Sequence, residues 1–126
     1  MTDPVPIIAV VDDEESMRLA IARLLRACSF EVSIYGSGEE FLGSLATSRP
    51  ACVILDIEMP GMSGRDVQRA LSTSGDSLPI IVVTAHNRAD LRAACLADGA
   101  AAYFAKPLRS QQLIDVLEGV VRRPAA

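Results

Sequence analysis

The chain has 126 residues, half of them hydrophobic, with 16 acidic and 12 basic side chains and a net charge of −4. That is the size of one domain, able to bury a core without disulfides or a structural metal. The charge argues against DNA or an anionic membrane surface as a direct partner. No apolar run approaches the roughly 20 residues needed to span a bilayer, and the opening "MTDPVP" has no signal-peptide character, so a cytoplasmic location is expected. Cys28, Cys52 and Cys95 are odd in number and far apart, and read as small core hydrophobes in a reducing compartment.

In chain order, the first strand candidate is Ile7–Asp12, an apolar run that ends in four consecutive acids, Asp12 to Glu15. Two carboxylates about 4 Å apart repel by roughly 4 kcal/mol at an effective dielectric of 20, so a bound cation is the natural compensation. Met17, Ile21, Leu24, Leu25 and Cys28 then fall at helical spacing, and Glu14 and Glu15 favour the start of that helix. Its arginines, Arg18, Arg23 and Arg26, read most simply as a solvated face. The second strand, Glu31–Tyr35, alternates as an edge strand does. Ser37 with Glu40 makes a capping-box pattern ahead of Phe41, Leu42 and Leu45.

The third strand candidate, Ala51–Asp56, is nearly unbroken Val/Ile/Leu, the mark of a strand covered on both faces. Ser63 with Asp66 opens the next helix, through Val67, Ala70 and Leu71. Pro79–Thr84 is the fourth strand. Asn87 with Asp90 is expected to open a helix through Leu91, Ala94 and Cys95, which Gly99 should close. Ala101–Lys106 is the fifth strand, and Ser110 opens a last helix with Leu113, Leu117 and Val120 on one stripe. The tail "RRPAA" stops it. This alternation predicts an α/β fold, (βα)5, a five-stranded parallel sheet with helices on both faces; the order 2-1-3-4-5 is expected by likeness to flavodoxin-like sheets and not from the alternation itself.

On that frame Asp12, Asp56, Thr84 and Lys106 end the first, third, fourth and fifth strands. In such sheets ligands bind beyond the carboxyl ends of the strands where the strand order reverses, here beside Asp12, Asp13 and Asp56. Three carboxylates suit Mg2+, a hard cation that takes oxygen ligands. Thr84 offers a hydroxyl and Lys106 a cation, both useful to a phosphoryl group. Lys106 is the single lysine against eleven arginines, a compact ammonium where a planar fork would fit less well.

"VVDDEESMR", "VILDIEMPGMSG", "IIVVTAH" and "GAAAYFAKP" resemble the four signatures of the receiver domain of bacterial two-component response regulators. The likeness runs from about Ile7 to Val121 of a single domain over 1–126. It implies that Asp56 accepts a phosphoryl group from a sensor histidine kinase or a histidine phosphotransfer protein. It implies Mg2+, or Mn2+, held directly by Asp13 and Asp56, largely through water by Asp12, and by the backbone carbonyl of Glu58. Thr84 and Lys106 would each meet a phosphoryl oxygen. Tyr103 would be the switch aromatic that turns inward as Thr84 moves, and Lys106–Pro107 a cis peptide. Pro60, Gly61 and Gly64 would shape the loop beside Asp56.

The output face would be helix four, strand five and helix five, with Arg88, Arg92, Tyr103 and Arg109. Such a domain is a switch rather than an enzyme, since it catalyses only its own phosphorylation and dephosphorylation. Partners would be a downstream protein or output domain, and a phosphorylation-dependent homodimer. The chain ends without a linker, so a stand-alone receiver is expected. The alternatives are the receiver portion of a helix-turn-helix regulator, a Mg2+-dependent aspartyl phosphohydrolase, and a degenerate receiver used only for binding. His86, the only histidine, reads as a solvent-facing loop residue near the rim. A further reading has His86 and Glu58 together set the lifetime of the phosphoryl group.

Overall fold

The computed structural model describes residues 6–121; the "RRPAA" tail lies outside them. Five strands, β1 (Ile7–Val11), β2 (Glu31–Tyr35), β3 (Cys52–Asp56), β4 (Ile80–Thr84) and β5 (Ala102–Ala105), alternate with five helices. The helices are α1 (Glu15–Ala27), α2 (Gly38–Ser44), α3 (Gly64–Thr73), α4 (Ala89–Ala97) and α5 (Ser110–Val121). All strand pairs are parallel and the sheet order is β2-β1-β3-β4-β5. This is the flavodoxin-like arrangement expected. The strand ends differ from the expected ones by a residue at most, and β2 coincides.

Because successive strand residues point to opposite faces, the sheet builds two cores. Ala9, Val11, Val53, Leu55 and Val82 face Phe41, Val67, Leu71 and Cys95 of α2, α3 and α4. Ile8, Val10, Ile54, Ile81 and Val83 face Ile21, Leu25, Leu113 and Leu117 of α1 and α5. The three central strands are apolar on both faces for this reason. β2 at the edge is more exposed, with no residue fully buried.

The helix ends carry most of the local surprises. Ser63 and Asp66 form a complete capping box, each side chain accepting the other residue's N–H. Ser37 accepts from the Glu40 amide, but Glu40 returns its bond to the Gly36 N–H, one residue further back. Asn87 is not a cap. The chain stays extended through Arg88, which is the N-cap of α4 and supplies no side-chain bond to it, because a guanidinium has no acceptor to offer; it pairs with Asp90 instead. Gly99 closes α4 with φ +100°, as expected. At the end of α1 the same left-handed position is filled by Ser29, φ 70°. The Phe30 N–H donates to Leu25 and the Ser29 N–H to Arg26, a paired closure that favours glycine. Ser29→Gly should therefore raise stability by about 1 kcal/mol, read as an increase in the urea midpoint at unchanged slope.

The C-terminal end of α4 is tied to α3. Buried Gln68 donates through Nε2 to the Cys95 carbonyl at 2.8 Å, which also accepts the Ala100 N–H. Arg65 donates to Gln68 Oε1 at 2.6 Å and pairs with Asp98 at 2.7 Å. An arginine in the first turn of α3 opposes its own helix dipole, yet it sits favourably at the carboxyl end of α4.

Candidate functional site

The register aligns Val11 with Leu55, Asp56 with Val83 and Thr84 with Ala105. The acids, Thr84 and Lys106 therefore emerge together at one end of the sheet. Asp12 is 1% exposed and Asp56 4% exposed. Asp12, Asp13 and Asp56 each offer a carboxylate oxygen within 4.8 Å of the others. Lys106 Nζ lies 3.1 Å from Asp12 Oδ2 and 3.7 Å from Asp56 Oδ2. The Glu14 N–H donates to Asp12 Oδ1 at 2.9 Å and the Glu58 N–H to Asp56 Oδ1 at 3.3 Å. The Lys106–Pro107 peptide is cis.

Burial, then the neighbouring Asp12 charge, push the Asp56 carboxyl up to about 6, against the pull of Lys106 and the Glu58 N–H. The folded protein thus holds a proton that the unfolded chain releases near 3.8. This contribution to stability is fully present below 3.8 and is lost as pH rises through about 6. Without divalent cations, the stability difference between wild type and Asp56→Asn should shift against the wild type across that window. Urea unfolding at successive pH values measures it. A buried Asp56 carboxyl that resists ionisation, with carboxylate oxygens of Asp12 and Asp13 close by, is what a cation would relieve, so the donor set fits a hard divalent ion.

Thr84 is fully buried, and its Oγ1 accepts the His86 N–H at 3.1 Å. Tyr103 is buried against α4, and its hydroxyl donates to the His86 carbonyl at 3.2 Å. The backbone of one residue therefore joins the two side chains. Arg92 donates to the Tyr103 carbonyl at 3.3 Å, and its guanidinium carbon lies 5.7 Å from the centre of the Tyr103 ring. Glu58 enters the site through its backbone N–H, while its side chain meets His86 Nε2 at 3.1 Å on the exposed rim.

One residue read as solvated surface is not. Arg18 is half-buried, and its Nη1 donates to the Asp12 carbonyl at 2.7 Å. Helical periodicity places it off the core stripe and hides its reach of six residues back along the chain. The signal available was Gly36, just past the end of β2, where a side chain would crowd that guanidinium.

Among the described residues no helix is long and apolar enough to cross a membrane. The response regulator receiver domain model matches residues 8–118. Response regulator protein TodT of Pseudomonas putida is 32% identical over 122 residues, covering 97% of this chain and 54% of that protein. Response regulator MprA of Mycolicibacterium vanbaalenii is 38% identical over 116 residues, covering 92% of this chain and 50% of that protein. The chain thus spans about half the length of these relatives. The crystal structure of a response regulator receiver protein from Burkholderia phymatum superposes with a TM-score of 0.82 at 43% identity, covering 95% of this chain and 98% of that one. The chain belongs to the receiver domain family of response regulators.

Proposed function

We propose that this chain is a single receiver domain over 1–126 that accepts a phosphoryl group on Asp56 from a sensor histidine kinase or histidine phosphotransfer protein. The observation that carries the reading is the convergence of Asp12, Asp13, Asp56 and Lys106 within bonding reach at one end of the sheet. Asp13, Asp56 and the Glu58 carbonyl would hold Mg2+, or Mn2+, with Asp12 mainly through water. Such an ion, when bound, would supply charge neutralisation and orientation for the phosphoryl group. An Asp56 carboxylate oxygen would attack phosphorus as the P–N bond of the donor phosphohistidine breaks and its imidazole leaves, and Lys106 would balance charge on the acyl phosphate that forms. The domain acts on itself alone and is a switch rather than an enzyme.

Donation to a phosphoryl oxygen would turn the Thr84 hydroxyl proton away from the His86 carbonyl, which Oγ1 approaches at 3.5 Å. The His86 carbonyl holds the Tyr103 hydroxyl, so the loss is felt at Tyr103, and the two arrangements differ in population when the phosphoryl group is present. The outlet is a groove of about 410 Å3 lined by Asn87, Arg92, Tyr103, Pro107, Arg109 and Gln112. That groove would meet a downstream protein, an output domain or a second copy in the cytoplasm. A stand-alone receiver is one form of this reading. The greater length of the relatives favours another, the receiver portion of a longer regulator.

Intact-mass spectrometry after incubation with acetyl phosphate tests the reading. The expected result is one phosphoryl adduct that requires Mg2+ and is absent from Asp56→Asn. No adduct and no beryllofluoride complex would overturn it in favour of a binding module. Decay of the adduct should change in Glu58→Ala or His86→Ala; unchanged decay in both removes these side chains from control of its lifetime.

A further inference from the structure

Asp12 is held at every polar group it has. Its N–H donates to the Tyr35 carbonyl, Oδ1 accepts the Glu14 N–H, and Oδ2 accepts from Lys106. Its carbonyl accepts from Arg18 Nη1 at 2.7 Å. That carbonyl belongs to the peptide unit joining Asp12 to Asp13, so the bond from Arg18 fixes the plane from which the Asp13 side chain departs. Arg18 itself is seated by two elements. Its own amide donates to the carbonyl of Glu14, the N-cap of α1, and its guanidinium passes over Gly36, where an added Cβ would lie 3.3 Å from Nη1 and 3.8 Å from Cζ. Gly36 in turn donates its N–H to Glu40 of α2.

We propose that Arg18 is a positioning residue for Asp13, setting the Asp12–Asp13 peptide so that both carboxylates address one cation. The proposal rests on the reading of the acidic cluster as a Mg2+ site. It makes a prediction whose sign opposes simple charge. Removing a cation beside an acidic cluster should tighten Mg2+ binding on Coulombic grounds, whereas loss of a residue that orients the ligands should weaken it. Residues that orient metal ligands commonly carry about 10–100-fold of affinity.

Mg2+ titration by calorimetry on the whole chain, at fixed ionic strength, separates these. Arg18→Ala should bind Mg2+ about tenfold more weakly than wild type. Arg18→Lys, which keeps a donor for a single carbonyl, should recover most of the loss. Gly36→Ala should weaken binding in the same direction and by less, because its methyl, 3.3 Å from Nη1, presses the guanidinium against its bond to the Asp12 carbonyl. Thermal melting of each variant shows that it is folded; if Arg18→Ala is not, Gly36→Ala decides. Wild-type or tighter affinity in Arg18→Ala, or a loss that lysine does not recover, overturns the proposal and leaves the metal site standing. No Mg2+ binding by the wild type overturns the metal site itself, and the proposal with it.

Discussion

Lys106→Met should lower the rate of adduct formation on Asp56 by about 10²–10³-fold, the scale seen when one oriented charge-stabilising donor is removed from an active site. The ammonium is the only cation within 4 Å of both Asp12 and Asp56 among the described residues, at 3.1 and 3.7 Å. Its loss acts twice. The developing charge on the transferred group goes unanswered, and the Asp56 carboxyl, already at about 6 through burial and the Asp12 charge, moves higher still. A larger share of Asp56 is then protonated, and so not nucleophilic, near neutral pH. Time-resolved intact-mass measurement reads the first effect, and carbon NMR titration of the aspartate carboxyls reads the second. Adduct formation at the wild-type rate would remove Lys106 from the chemistry.

Gly64→Ala should be the most damaging small substitution in the chain. Gly64 is buried at the first position of α3, and its N–H donates to the Ile57 carbonyl at 2.9 Å. A methyl there would overlap the Asp56 carbonyl oxygen and lie 2.7 Å from Ile57 Cα. Both obstacles are backbone, so no side chain can swing aside, and α3 or the end of β3 must move. Overpacking of this kind costs about 3 kcal/mol, and for a domain of this size lowers the melting temperature by roughly 10 °C. The displaced segment carries Asp56, so adduct formation should fall in the fraction that still folds. Calorimetric melting beside the intact-mass assay measures the two losses on one sample.

Periodicity places Lys106 from the sequence, whereas Gly64 came only from the resemblance, as a loop residue, and proves to be the first residue of α3. Strands buried on two faces leave unbroken apolar runs, so the first polar residue after each run marks a strand end. Asp12, Asp56, Thr84 and Lys106 stood out in that way. What local pattern could not show was any side chain reaching between elements. Arg18 lies off the core stripe of α1 and looks solvated, although its length lets the head group turn back to Asp12. Arg65 and Gln68 look like ordinary surface of α3 until α4 is set beside them. Asn87 has the composition of a cap but precedes an extended Arg88, and Ser29 holds a backbone conformation that its identity does not advertise.

The tie between α3 and α4 has a mechanical meaning. The carboxyl end of α4 is wired through Gln68, Arg65 and Asp98 into a neighbouring helix. Its amino end begins at an N-cap that contributes no side-chain bond. That half is held more lightly, by Arg92 on the Tyr103 carbonyl, so the helix can act as a lever about its carboxyl end. Six residues separate Cys95 from Ala89, an arm of about 9 Å at 1.5 Å each, so a tilt of roughly 10° about Cys95 moves the amino end by about 1.5 Å. The fulcrum lies beside Cys95, and the opposite half of the helix carries Arg92 over Tyr103. A small hydroxyl shift at Thr84 would thus be delivered where the arm is longest.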